Sequence, residues 1–229
     1  QIPTELAEIF GLGYAPDDWD TLSAFLLTRG FSEAELVQAG LAMRRKQGSG
    51  VIDRFRNRLM IPLRDHHGNT VGFTGRELPD SRPDPNFSNS PKYMNSPETP
   101  VYSKSRLLFG LDLAKRAARD AGFVVIVEGN LDVVASHKAG VENIVASSGT
   151  AFTQEQLELL KRYTSTIVFA FDSDAAGLKA AKKGMSLARR LGFDIRAAIL
   201  PEGVKDPDEL VQKDPALWKQ LVERSEPIM

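Results

Sequence analysis

At 229 residues, with 42% hydrophobic and 26% charged side chains, the chain has the bulk of one large or two modest globular domains. It has no cysteine, which excludes disulfides and thiolate zinc sites, and no apolar run nears the roughly 20 residues that cross a bilayer. The net charge of −1 hides a segregation: residues 1–40 carry 1 basic and 7 acidic side chains, residues 41–122 carry 15 and 8, and residues 123–229 carry 13 and 15.

In chain order, the first forty residues read as helices. Asp20 to Leu27 and Ser32 to Ala39 are short amphipathic stretches; Ser32 and Glu35 form a capping box, and Gly30 and Gly40 mark helix stops. In 53–58, Arg54, Arg56 and Arg58 alternate at period 2, which predicts one strand face shared by three guanidinium groups. That face either follows a nucleic-acid backbone or simply meets water. Residues 59–63 continue the strand, 64–69 turn, and 70–78 return as the second arm of a hairpin. Residues 79–91, with Pro79, Pro83, Pro85 and Pro91, read as a loop, and 92–104 as irregular. A helix over 111–120 ends at Gly122.

From residue 123 the rhythm is strand 123–127, helix 130–139, strand 143–147, helix 153–163, strand 166–171, helix 175–191 and strand 195–200. Asp214-Pro215 opens a last helix, with an N-cap aspartate and proline at the first helical position. Such alternation predicts an α/β fold with a mostly parallel sheet flanked by helices. Three of the strand-like runs lead to acidic clusters: Glu128 and Asp132, Asp172 and Asp174, and Asp206 and Asp208. Ligands in α/β proteins gather at the carboxyl ends of strands. Carboxylates crowded there repel one another unless cations hold them, and hard divalent ions take oxygen ligands of this kind. Singly, each residue reads as a helix cap. Together they predict a site for two magnesium ions, of the sort that serves phosphoryl transfer. A positive middle segment beside that region suits a polyanion enzyme, although such charge asymmetry is also common on solvated surfaces.

Glu128-Gly129-x-x-Asp132, followed by Asp172-x-Asp174 and Ala176-Gly177, resembles the TOPRIM fold shared by bacterial primases and topoisomerases. Further segments narrow the resemblance: Phe10 to Pro16 with Trp19, Asp53 to Arg58, Gly72 to Arg76, Lys92 to Thr99, and Leu200-Pro201-x-Gly203 through Asp206 to Glu209. Taken in order, they look like the bacterial replicative primase of DnaG type. The Lys92 to Thr99 run is specific to that family within the TOPRIM group.

The resemblance implies a primase catalytic core: a nucleotidyltransferase that copies single-stranded DNA into short RNA primers from ribonucleoside triphosphates. It implies a basic α+β subdomain at 1–121, a Rossmann-like TOPRIM subdomain at 122–203, and an acidic loop with a helical segment at 204–229. Glu128, Asp172 and Asp174 would be the main magnesium or manganese ligands, with Asp206 and Asp208 also on the metals and Asp132 in support. Arg76, Lys92, Tyr93, Asn95 and Lys104 would hold the incoming nucleotide, and Arg54, Arg56 and Arg58 the template. The chain looks like the middle third of a longer cytoplasmic replication-fork protein whose zinc-binding and helicase-binding parts lie elsewhere.

The resemblance also implies a monomer with no membrane contact. Two rival readings use the same acidic residues: a TOPRIM nuclease or topoisomerase that cuts DNA, and a module that only binds nucleotides or single-stranded DNA. Some positions depart from the family pattern. Asn130-Leu131 stands where an aromatic residue followed by methionine is usual, Ser173 where glycine is usual, and Ile9 where an arginine often sits. The 79–91 loop is longer than usual, and Val204-Lys205 adds a residue before Asp206.

Overall fold

The computed structural model describes residues 2–78, 91–148, 152–170 and 175–228, the side chains of 175–181 excepted. The first half contains α1 (Thr4–Phe10), β1 (Gly13–Ala15), α2 (Thr21–Thr28), α3 (Glu33–Gln38), β2 (Ala42–Arg44), β3 (Val51–Asp53), β4 (Arg58–Arg64), β5 (Thr70–Glu77) and β6 (Tyr93–Asn95). The second contains α4 (Leu111–Ala121), β7 (Val124–Val127), α5 (Asn130–Lys138), β8 (Ile144–Ala146), α6 (Gln154–Leu160), β9 (Thr166–Phe169), α7 (Ala175–Arg190), β10 (Asp194–Ala197), α8 (Pro207–Lys213), α9 (Pro215–Glu223) and β11 (Glu226–Pro227).

The chain divides into two units. One takes in residues 1–6, 64–69 and 105–229; the other takes in 7–63 and 70–104. The larger unit holds a five-stranded sheet in the order β11-β10-β9-β7-β8. β7 runs parallel to both β8 and β9, and β10 runs parallel to β9; only β11 is antiparallel, on the edge. Val124 to Val127 are completely buried, as expected of strands covered on both faces. α4 packs Leu111, Ala114 and Ala118 into the same core as Val124, Ile126, Leu157, Ile167 and Phe169. Helix 111–121 therefore belongs with the parallel sheet, as do the C-terminal helices. α6 begins with the expected capping box: Thr153 Oγ1 accepts from the Gln156 amide at 3.2 Å, and Gln156 Oε1 accepts from the Thr153 amide at 3.1 Å.

The smaller unit holds a four-stranded sheet in the order β1-β4-β5-β6 and a separate β2-β3 pair. The tip of the β4–β5 hairpin, residues 64–69, is assigned to the larger unit and is tied by Asp65, whose carboxylate accepts from the His67 and Asn69 amides. The Ser32–Glu35 capping box is present at α3.

Three sequence expectations need correction. The run 53–58 is not one strand. β3 ends at Asp53 and β4 starts at Arg58, with Asn57 between them at φ +49°. There the Arg54 and Asn57 amides donate to Leu41 O and Pro16 O, outside any ladder. Residues 92–104 are not wholly irregular, because β6 pairs with β5 in antiparallel register, Arg76 opposite Tyr93 and Thr74 opposite Asn95. The first forty residues are not only helical, since β1 pairs antiparallel with β4. The predicted loop over 79–91 lies outside the described residues except for Pro91.

Candidate metal centre and nucleotide-binding strand

In the larger unit, Glu128 follows β7 directly, and Gly129 sits at the N-cap of α5. Glu128 is partly buried, with its Oε1 enclosed. Asp132, one turn further on, is 7% exposed. Its carboxylate accepts two backbone N–H groups, from Gly129 at 3.0 Å and from Asp208 at 3.2 Å. A Cβ at Gly129 would lie 2.7 Å from Asp132 Oδ2, so glycine is what lets that carboxylate fold back over the helix end. Asp132 thus caps α5 and ties the start of α8 to it. Trp218 of α9 extends this network: its indole N–H donates to Ser136 Oγ at 3.0 Å, and Ser136 donates to Asp132 O at 2.6 Å.

Asp206 is the N-cap of α8, with Pro207 at the first helical position. Its Oδ1 accepts from the Glu209 amide at 2.8 Å, while Oδ2 lies 3.9 Å from Lys205 Nζ. Asp208 Oδ1 accepts from Gln212 Nε2 at 3.1 Å. The Asp-Pro signature that marks α9 in the sequence also marks α8.

Asp172 and Asp174 lie outside the described residues. They follow Ala170, whose amide donates to Ile126 O at 2.9 Å, so the chain leaves β9 beside the end of β7 that carries Glu128. Among the described residues, no three His, Asp or Glu side chains gather closely enough to hold a metal ion. The donor chemistry nevertheless fits a hard cation, because every candidate ligand offers carboxylate oxygen. Asn130 is buried and accepts a hydrogen bond from Ser148 Oγ at 2.7 Å, so a polar contact fills the position where the family pattern has an aromatic ring.

In the smaller unit, β6 carries Tyr93 and Asn95, and Lys92 precedes it. Lys92 is exposed, and Tyr93 is 42% exposed. The Arg76 guanidinium lies 5.9 Å from the Tyr93 ring centroid, within cation–π range. Asn95 Oδ1 accepts from Thr74 Oγ1 at 2.7 Å. Lys104 is partly buried, and its amide donates to Glu98 Oε1 at 2.9 Å.

The three arginines predicted on one face part company. Arg54 donates from Nε and Nη2 to Asn95 O, at 3.3 and 3.1 Å. Arg56 stacks over Trp19, 4.4 Å from the ring centroid. Arg58 is buried, and burial lowers its pKa from the ordinary value against the opposing charge of Glu77. Asp53, beside them, accepts from the Leu22 and Ser23 amides at 2.7 and 2.8 Å. It serves as a cap for α2 from 30 residues away, where Asp20 makes no side-chain cap bond. Nothing in the local sequence signals that contact.

The family described as "DNA primase catalytic core, N-terminal domain" matches residues 1–115, and a "Toprim-like" family matches residues 125–211. The DNA primase of Clostridium acetobutylicum is 45% identical over 206 residues, covering 90% of this chain and 32% of the relative. The chain thus spans about a third of that relative's length. Among solved structures, the RNA polymerase domain of Mycobacterium tuberculosis primase DnaG superposes with a TM-score of 0.87 at 39% identity, covering 98% of this chain and 73% of that one. A DnaG primase catalytic domain bound to single-stranded DNA gives 0.84 at 35% identity, covering 99% and 71%. The chain belongs to the DnaG-type DNA primase catalytic-core family.

Proposed function

We propose that this chain is the polymerising core of a primase, joining ribonucleotides on a single-stranded DNA template. The observation that carries this is Glu128 at the carboxyl end of a parallel strand, within a chain that matches both halves of a primase core. Glu128, Asp172 and Asp174 would hold magnesium or manganese, with Asp206 and Asp208 contributing to a second ion. The bound ions would activate the attacking 3′-hydroxyl and neutralise charge on the departing pyrophosphate.

The remaining roles belong to the chain's own side chains. Arg76, Lys92 and Lys104 offer charged donors to a triphosphate, and Tyr93 offers a ring face to a base. Asp132 acts through backbone N–H groups, holding the Glu128 turn and the start of α8 in fixed relation. Arg54 and Arg56, which are partly buried and hold contacts to Asn95 O and Trp19, are better placed for template phosphates than Arg58, which is buried.

Primer synthesis by the full-length protein tests this. Asp172→Ala is expected to lower ribonucleotide joining by at least about 100-fold, the loss of several kcal/mol of charge stabilisation, while the unfolding midpoint stays put. Joining at the unaltered rate would remove the metal assignment.

A further inference from the structure

Arg58 is 3% exposed, although arginine is almost never fully buried unless its charge is satisfied. Its guanidinium reaches three backbone carbonyls. Nη1 donates to Gly75 O at 3.0 Å and to Lys92 O at 3.4 Å, and Nη2 donates to Pro91 O at 2.9 Å. Two of these acceptors belong to the segment that enters β6. At the other end of β6, Arg54 grips Asn95 O through two donors. A three-residue strand is thus held at both ends by guanidinium forks, in addition to its pairing with β5.

The sequence makes room for this. A Cβ at Gly75 would lie 2.8 Å from Arg58 Cδ and 2.9 Å from Phe55 Cδ1. Gly75 faces Met94 in the β5–β6 register, so the arginine stem crosses the sheet at a residue without a side chain. Lysine cannot replace the fork. Its ammonium is a single point of charge, whereas the planar guanidinium reaches separate acceptors at fixed angles.

We propose that Arg58 is a positioning residue for nucleotide binding: it sets the backbone of Pro91 and Lys92 so that Lys92 and Tyr93 project from β6 in the orientation that receives a triphosphate. This rests on the assignment of Lys92 and Tyr93 to the nucleotide. Arg58 acts in this role through the backbone carbonyls that it holds, and not on the nucleotide itself.

The test uses Arg58→Lys in the full-length protein, with ATP as the varied substrate in primer synthesis and hydrogen exchange read at residues 77 and 92–96. The Glu77 amide donates to Lys92 O at 2.8 Å, so it reports the grip directly. Exchange there is expected to rise about tenfold, with KM for ATP rising about tenfold and kcat within about twofold. Unchanged exchange, or faster exchange with unchanged KM, overturns the proposal. Equal losses in kcat at constant KM, with a lowered unfolding midpoint, also overturn it, since they mark a purely structural role. If Arg58→Lys fails to fold, Gly75→Ala presses on the same stem and is judged by the same two readouts. Lys92→Ala separates the underlying assignment: an unmoved KM in that variant sinks the nucleotide role of β6, while exchange in Arg58→Lys still decides whether Arg58 holds the strand.

Discussion

In the larger unit, β7 is apolar along its length and β9 is apolar after Thr166, and Val124 to Val127, Ile167 and Val168 are fully buried. In the smaller unit, charged groups sit in the interior beside the apolar ones. Asp53 and Arg58 are both nearly inaccessible, and each is satisfied by backbone groups 17 to 34 residues away in sequence. A continuous apolar core places Glu128 at the end of a rigid strand. Buried polar clasps instead fix short, irregular pieces, such as β6 and the start of α2, that have too few apolar side chains to fix themselves. Apolar burial is non-directional, whereas a clasp specifies both distance and angle.

Three substitutions sharpen or break that contrast. The largest effect is expected from Ile126→Ala, which empties space in the centre of the parallel sheet and should destabilise by about 2–5 kcal/mol in urea unfolding. A loss under about 1 kcal/mol would mean that the sheet does not depend on close packing there. Next comes Asp53→Asn. The carboxylate accepts the Leu22 and Ser23 amides and the Ser23 hydroxyl, and an amide side chain must turn a donor toward one of them. A cost of about 2 kcal/mol is expected, the range for a buried donor left unsatisfied. An unchanged midpoint would show that the smaller unit does not rely on its polar clasps.

The smallest effect is a pH slope. Burial lowers the His137 pKa below its ordinary 6.5, with the Glu142 charge opposing. The unfolded chain therefore takes up the proton first. Stability is complete above about 6.5 and falls as pH drops from there toward the lower folded value. His137→Gln should flatten that part of the profile, and an unaltered slope would assign it to other groups.

What the sequence makes legible follows from the same contrast. The strands of the parallel sheet, the Thr153–Gln156 and Ser32–Glu35 boxes, and the Asp214-Pro215 helix start all rest on neighbours within four residues, and all are present. The place of Glu128, directly after β7, is legible for the same reason. The arginine alternation misleads because the fate of each guanidinium is decided far away: Arg54 at Asn95, Arg58 at Pro91 and Lys92, Arg56 at Trp19. β6 is invisible locally because its partner, β5, lies across the 79–91 segment. The capping role of Asp53 and the clasp of Asp132 on the Asp208 amide, 76 residues away, are equally non-local.

The central claim is that carboxylates from separate strand ends converge on divalent ions. Crystals of the protein grown with saturating manganese and measured at the manganese absorption edge test it most directly. The account predicts anomalous peaks within coordination distance of Glu128, Asp172 and Asp174. A fully ordered site with no peak beside Glu128 would contradict it.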